Sequence, residues 1–338
     1  MILSIEEINR RIHDSYELPN NVLQAVPHPM VTVRTSTYQH GPYIKDCIEG
    51  VLMQKTNFPI EFIIGEDFST DGTREIVFDY AKKYPNIIRV ITSDYNVGSK
   101  ANGTRCIQSS RGKYMALCEG DDYWTDPLKL QKQVDLMETK PDCTICFHSS
   151  LINNVLKNVE YVVHDHGISN IIFKPEELIS GKINMWTASI LVKTEVVKSI
   201  PAGLNKLKFG DAKLKMWAAS KGCIAYVGGG PMSVYRRGII GAWSDKEGKD
   251  VSWEKERLYN HCEIVQVFKE ILPIKYHKAL DKYKDKRRKS YFYSLRRYYN
   301  GFEMVLVLMK NLKYINYNIF SPIGLIFNKI LSKHREEN

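Results

Sequence analysis

Two adjacent carboxylates, Asp121 and Asp122, stand in the run Glu119-Gly-Asp-Asp-Tyr-Trp124 of this 338-residue chain. Acids side by side raise each other's pKa. A divalent cation relieves that repulsion, and Mg2+ or Mn2+ prefers carboxylate oxygens combined with substrate phosphates. An isolated Asp pair is also a common turn, and taken alone it reads more often that way. A second cluster is Glu66-Asp-Phe-Ser-Thr-Asp-Gly-Thr73. Its Asp67, facing a cleft, can accept hydrogen bonds from a base or ribose, while Ser69, Thr70 and Asp71 are all good helix caps. A third is Asn96-Val-Gly-Ser-Lys-Ala-Asn102. Asn96 and Gly98 suit a turn there, and Lys100 can meet a phosphate or remain solvated.

The elements that must position these clusters alternate along the first half of the chain. Met30–Thr35, Ile60–Ile64, Ile87–Thr92 and Tyr114–Cys118 read as strands. Helical spacing is expected over Tyr43–Gln54, Asp71–Tyr84, Ser99–Ser110 and Pro127–Thr139. Such alternation implies an α/β fold with a mostly parallel sheet and helices on its faces. Ligands of such sheets bind beyond the carboxyl ends of the strands, and all three clusters fall there, together with Thr35–Tyr38. From about residue 142 short strands and short helices mix, and after about residue 250 the chain reads as helical and basic.

Taken in order, Thr35-Ser-Thr-Tyr38, EDFSTDGT, NVGSKAN and RGKYMALCEGDDYW followed by DPLKLQKQV resemble the family 2 glycosyltransferases over roughly residues 30–245. The resemblance implies a GT-A fold and transfer of a monosaccharide from a nucleotide sugar to a hydroxyl with inversion. It assigns Thr35, Tyr38 and Asp67 to the nucleotide, with Asn96 and Lys100 nearby. It sets Asp121 near the ribose or sugar and Asp122 on Mn2+ or Mg2+, with Tyr123 and Trp124 walling the donor pocket. Phe209-Gly-Asp-Ala-Lys-Leu214 matches the family's base-bearing helix start, which makes Asp211 the base candidate; on residue type alone Asp211 is a helix cap. Many relatives carry a His after the later Tyr-Arg. Here the run is Tyr235-Arg-Arg-Gly-Ile-Ile-Gly-Ala-Trp243, so Arg236 or Arg237 is expected to supply the positive charge. Residues 237–250 are a candidate lid.

The implied organisation is an N-terminal helical extension at 1–28, a catalytic domain at 29–250 and a basic helical region at 251–338. The catalytic domain divides into a nucleotide-binding half (29–125) and an acceptor-binding half (126–250). Hydrophobic residues at 43% and charged residues at 25% are ordinary globular usage, which excludes a disordered, collagenous or coiled-coil chain. No stretch reaches the ~18 apolar residues of a spanning helix, and the start, MILSIEEINRR, lacks the character of a signal peptide. The expected location is the cytoplasm, at the inner face of the membrane if the tail binds it. Seven Cys, an odd number, suit reduced thiols. In a strand, Cys143 and Cys146 would point to opposite faces. His164-Asp-His166 reads as a polar loop, and there is no G-x-G-x-x-G.

The net charge of +10 sits almost wholly at the end: residues 251–338 hold 18 Lys and Arg against 9 Asp and Glu. Lys282–Lys289, with aromatics at Tyr291, Phe292, Tyr293, Tyr298 and Tyr299, suits a helix lying on an anionic membrane; packing on the catalytic domain or on a second copy is the other reading. The expected partners are a nucleotide-sugar donor and a glycan or lipid-linked glycan acceptor, such as serve bacterial surface polysaccharide synthesis, and no nucleic acid. Two rival functions remain at this level: a sugar-phosphate nucleotidyltransferase, and a non-catalytic binding module with a basic docking tail.

Overall fold

The computed structural model describes residues 4–239 and 250–299. Most of the expected lid, and the apolar runs at 304–309 and 323–327, lie outside them. The chain begins with α1 (Ile5–His13), β1 (Tyr16–Glu17) and α2 (Val22–Ala25). The expected alternation follows: β2 (Val31–Thr37), α3 (Ile44–Leu52), β3 (Ile60–Glu66), α4 (Thr73–Lys83), β4 (Ile88–Thr92), α5 (Ser99–Ser109) and β5 (Tyr114–Leu117). Then come β6 (Tyr123–Trp124), α6 (Lys129–Thr139), β7 (Cys143–His148), β8 (Ser150–Asn154), β9 (Val159–Val163), β10 (Ile171–Phe173) and α7 (Pro175–Ile179). The remainder is β11 (Leu191–Lys193), α8 (Thr194–Lys198), α9 (Gly210–Lys221), β12 (Cys223–Val227), β13 (Ser233–Arg237), α10 (Val251–Ile271) and α11 (His277–Leu295).

Among the described residues, nine strands form one sheet in the order β1-β4-β3-β2-β5-β11-β7-β12-β10. Parallel pairing holds for β4-β3-β2-β5 and for β7 with β12. Strands β1, β10 and β11 run antiparallel to their neighbours. The sheet is thus mixed but mostly parallel in direction: among the described residues only β1, β10 and β11 of its nine strands oppose the rest, and in the nucleotide half helical crossovers join successive parallel strands. A second sheet, β6-β13-β8-β9, stands beside the end of β5.

Alternation along each strand feeds two cores. Tyr114 and Ala116 of β5 join α3, α4 and α6 on one face. Met115 and Leu117 face the other way, into a core shared with α7, α8, α9, α10 and α11. The C-terminal helices thus bury Ile264, Val265, Phe268, Leu280 and Tyr283 against the catalytic domain, and of the two readings of the tail, α11 takes packing. Its basic groups are engaged locally: Lys286 donates to the Gly181 carbonyl, and Arg287 lies over the Tyr283 ring. Among the described residues no helix is long and apolar enough to cross a membrane.

Two cysteine expectations are corrected. The β7–β12 register shifts between the pairs Cys143–Cys223 and Ile145–Ile224, and this bulge breaks alternation, so Cys143 and Cys146 share one core. Directly opposite each other, Cys143 and Cys223 form a disulfide rather than remaining thiols.

Several histidines are buried uncharged. Burial pushes His261 down to about 3 and His164 to about 4, and drives His148 well below its ordinary range. A histidine depressed in the fold but free near 6.5 when unfolded costs stability as pH falls below 6.5, by about 1.4 kcal/mol per pH unit for each group. Urea midpoints should therefore drop steadily from pH 7.5 to pH 5, with a shallower slope in His261→Gln. A midpoint unchanged across that interval would show that these rings are not held neutral.

Candidate active site

Strand β5 delivers the acidic loop. Its backbone is pinned against β2: Cys118 N–H donates to Arg34 O at 3.1 Å and Gly120 N–H to Ser36 O at 3.1 Å. Position 120 must be glycine, because a Cβ would lie 2.6 Å from Thr37 Oγ1 and 2.7 Å from His40 Nδ1. Beyond it the two acids diverge. Asp121 is half-buried, whereas Asp122 is 1% exposed. Asp122 Oδ1 accepts the Arg236 backbone N–H of β13 at 3.1 Å. Burial, reinforced by the neighbouring charge of Asp121, pushes the Asp122 carboxyl well above the usual range. Asp122, the residue expected to hold a metal, is buried as it stands, while Asp121 and Glu119 of the same loop are half-buried.

Arg236 is also placed differently from expectation. Its guanidinium donates to the Asp121 carbonyl at 3.0 Å, pairs with Asp46 and lies 4.3 Å over the Tyr123 ring. It clamps the acidic loop instead of standing free for a ligand. Trp124, expected to wall the donor pocket with Tyr123, is 2% exposed. Its indole N–H donates to Ala188 O at 2.9 Å, and the buried Lys129 ammonium sits 3.9 Å over its ring.

The nucleotide-side residues divide in the same way. Thr35 is fully buried with Oγ1 3.6 Å from Cys47 Sγ. Asp67 is 2% exposed, and both carboxylate oxygens are used: Oδ1 accepts Val97 N–H at 2.8 Å and Oδ2 accepts Gly98 N–H at 3.1 Å. Burial outweighs those bonds and raises its pKa. Asp67 therefore shapes the loop that carries Asn96 and Lys100. Of the residues expected at the nucleotide, Tyr38 and Asn96 are exposed and Lys100 is half-buried on a cavity wall.

That cavity, of about 650 Å³, joins the two halves of the domain. Arg34, Lys100 and Glu119 line it from the sheet end, and Lys208, Asp211 and Lys213 from the start of α9. Asp211 is half exposed in it and pairs with Lys215 Nζ at 2.9 Å. Enclosure by protein would raise the Asp211 carboxyl. The Lys215 ammonium, aided by the Ala212 N–H, overrides this and holds it below the ordinary value. Lys215 is itself anchored by Met185 O at 3.1 Å. The C-terminal helices buttress the same helix start: Phe209 stacks on His261 at 4.5 Å, and His261 Nδ1 shares a 2.9 Å hydrogen bond with Tyr283 Oη. Lys208 pairs with Glu256 of α10.

Sequence reading gave no role to Glu119, Arg34, Lys208 or Lys213. An Arg inside the β-branched run at 30–35 was a usable signal, since strand interiors seldom hold a charge without a partner. The lysines around Asp211 carried none.

Residues 32–185 match the family model described as Glycosyl transferase family 2. An uncharacterized protein of Mycobacterium tuberculosis is 33% identical over 222 residues, 63% of this chain and 60% of that protein. The match thus spans only about 60% of that relative's length. TuaG of Bacillus subtilis, a putative teichuronic acid biosynthesis glycosyltransferase, is 34% identical over 119 residues, 35% of this chain and 46% of TuaG. S. aureus TarS 1–349, solved in complex with UDP-GlcNAc, gives a TM-score of 0.56 at 15% identity, covering 80% of this chain and 74% of that one; a likeness at that identity shows the shared fold.

The scaffolding role of Asp67 has a measurable consequence. Asp67→Asn sets an amide NH2 against one of the two backbone N–H groups it now accepts, so the protein should lose about 1–3 kcal/mol. Chemical denaturation checks this. Stability equal to that of the unsubstituted protein would return Asp67 to a ligand-facing role.

Proposed function

With residues 32–185 belonging to glycosyltransferase family 2, we propose that this protein transfers a monosaccharide from a nucleotide sugar to a hydroxyl of a glycan acceptor, with inversion at the anomeric carbon. The observation that carries this reading is the shared cavity. Glu119, from the acidic loop after β5, and Asp211, from the start of α9, line one space of about 650 Å³. A donor held at the acidic loop and an acceptor held at Asp211 therefore meet inside it. The UDP-GlcNAc bound by TarS supports a uridine diphosphate sugar as donor, and the likeness to TuaG supports a polysaccharide product. Membrane contact remains a proposal for the segment beyond residue 299, since Tyr283, Tyr291 and Leu295 of α11 are buried.

In the transfer, the acceptor oxygen attacks the anomeric carbon as the bond to the diphosphate breaks. Asp211 takes the hydroxyl proton as general base. Lys215 keeps that carboxylate ionised at neutral pH and fixes its direction. Arg34 and Lys100 bring positive charge to the donor side of the cavity. Arg236 holds the Asp121 carbonyl and, through its amide, the Asp122 carboxylate, so the acidic loop keeps its shape.

Among the described residues no three His, Cys, Asp or Glu side chains gather as a metal site. Mg2+ or Mn2+ is compatible with fewer, because such ions commonly take one or two carboxylates and complete their shell with phosphates and water. The reachable acids are Asp121 and Glu119, and we assign the ion to them rather than to Asp122. A bound cation would offset charge growing on the departing diphosphate.

Turnover should fall to background in excess EDTA and return with Mn2+ or Mg2+. Asp121→Asn should abolish that rescue with little change in stability, whereas Asp122→Asn keeps an oxygen for the Arg236 N–H, removes a buried charge disfavoured beside Asp121, and should leave stability equal or higher. Full turnover in chelator would remove the metal from the mechanism.

Asp211→Asn should lower turnover by roughly 10²–10⁴-fold while nucleotide affinity stays the same. The acid limb of kcat/KM should lie below the ordinary carboxylate pKa. In Lys215→Met it should move to higher pH, because the ammonium that favours the ionised form is gone. Transfer by Asp211→Asn within about threefold of the parent enzyme would exclude Asp211 as the base.

A further inference from the structure

The loop at residues 94–98, between β4 and α5, carries Asn96 and is gripped from two sides. From the sheet, Asp67 accepts the Val97 and Gly98 N–H groups, and Asn96 Nδ2 donates back to the Asp67 carbonyl at 3.1 Å. The second grip comes from residues 11–16, which precede the matched family region. Arg11 of α1 donates through Nη1 to the Val97 carbonyl at 3.1 Å. Tyr95 Oη donates to Asp14 at 2.5 Å, and Tyr16 Oη to Asp94 at 2.9 Å. Just before the loop, Arg105 Nη1 ties Ser15 Oγ at 2.9 Å to Ser93 Oγ at 3.2 Å. Beneath these bonds Ile8 of α1 packs with Val97 and Ala101, and the same Ile8 lines the cavity of about 650 Å³.

Val97 is thus held at both backbone groups, its N–H by Asp67 and its carbonyl by Arg11. Hydrogen bonds from an ionised donor are roughly twice as strong as neutral ones. The guanidinium is also aimed in advance: Glu7, one turn earlier on α1, accepts from Arg11 Nε at 2.7 Å. Gly98 follows at φ +86 and opens α5, so the direction of the loop is set at the step that Arg11 and Asp67 hold. A loop ordered before its ligand arrives spares the ordering cost at binding. Resting on the reading that Asn96 and its loop meet the donor nucleotide, we propose that α1 is part of the donor site and that Arg11 is a positioning residue. It acts through the Val97 carbonyl on the placement of Asn96, and so sets how tightly the nucleotide is held.

The test is calorimetric titration of the full chain with UDP and with GDP, each in Mn2+, the tighter of the two then being carried through the variants. Arg11→Met should raise its Kd on the order of tenfold, equivalent to about 1.4 kcal/mol, at unchanged stoichiometry. Stoichiometry separates this from a merely structural role, because partial unfolding removes binding sites without weakening those that remain. Arg11→Lys keeps a charged donor and should bind within about threefold of the parent. Arg10→Met removes a guanidinium bonded to Glu7 rather than to the loop, and should bind as the parent does. Parental affinity in Arg11→Met, a loss that appears only as lowered stoichiometry, or an equal loss in Arg10→Met would overturn the proposal. Asn96→Ala tests the reading beneath it. A loss there beside parental binding in Arg11→Met would remove the role of α1 alone, whereas parental binding in Asn96→Ala would remove the loop from the nucleotide. A parent chain that binds neither nucleotide would remove the donor reading, and this proposal with it.

Discussion

The buried carboxyl of Asp122 is the group on which the geometry of this site depends. It sits at 1% exposure next to a second acid, with the Arg236 backbone N–H as a partner at 3.1 Å. Burying an acid that way is costly unless hydrogen bonds compensate. Asp122 lies between β5 of the central sheet and β6 of the small one, and β6 pairs with β13, which carries Arg236. The bond therefore extends the β6–β13 pairing to the point where the acidic loop leaves the central sheet. The Arg236 side chain strengthens the joint by holding the Asp121 carbonyl and stacking on Tyr123. With the backbone fixed, Asp121 and Glu119 are left facing outward.

A comparable arrangement holds the other end of the cavity. The start of α9 has no side-chain cap of its own. It is held from behind by Phe209 on His261 and by Lys215 on the Met185 carbonyl. The helices of residues 251–295 therefore buttress the segment that bears Asp211, although they lie outside the matched family region. Their apolar faces complete the larger core, and their polar groups Glu256, His261 and Tyr283 reach the segment that bears Asp211. This explains how a strongly basic stretch can be bound to the body of the protein: its lysines and arginines point outward or pair locally, while Leu280, Tyr283, Tyr291 and Leu295 point in.

The nucleotide half was legible from sequence because its signals are local. β-branched runs, helical spacing and polar clusters at strand ends are each set by neighbours within a dozen residues, and β2 to α6 formed close to where they were read. The order of the motifs gave a resemblance that agrees with the family model matching residues 32–185, and Asp211, singled out from Phe209–Leu214, lines the cavity. Residue types alone, however, do not reveal which side of a loop an acid faces. Asp67, Asp122, Thr35 and Trp124 have the composition of ligand-binding residues, and the fold buries all four.

What only the tertiary structure decided follows from long-range contact. Asp122 meets Arg236 across 114 positions, and Cys143 meets Cys223 across 80. A bulge of one residue put Cys143 where alternation would not. Antiparallel β11 between β5 and β7 made the sheet mixed, because short strands joined through irregular segments leave no periodic signal. The gathering of Lys198, Lys208 and Lys213 around one cavity was likewise invisible, since each looks like an ordinary surface lysine in its own segment. The sequence by itself determined which chemistry-bearing residues exist and which local elements carry them. Burial, charge pairing and exposure are properties of neighbours brought together by folding, and they decided which of those residues line the cavity and which are buried.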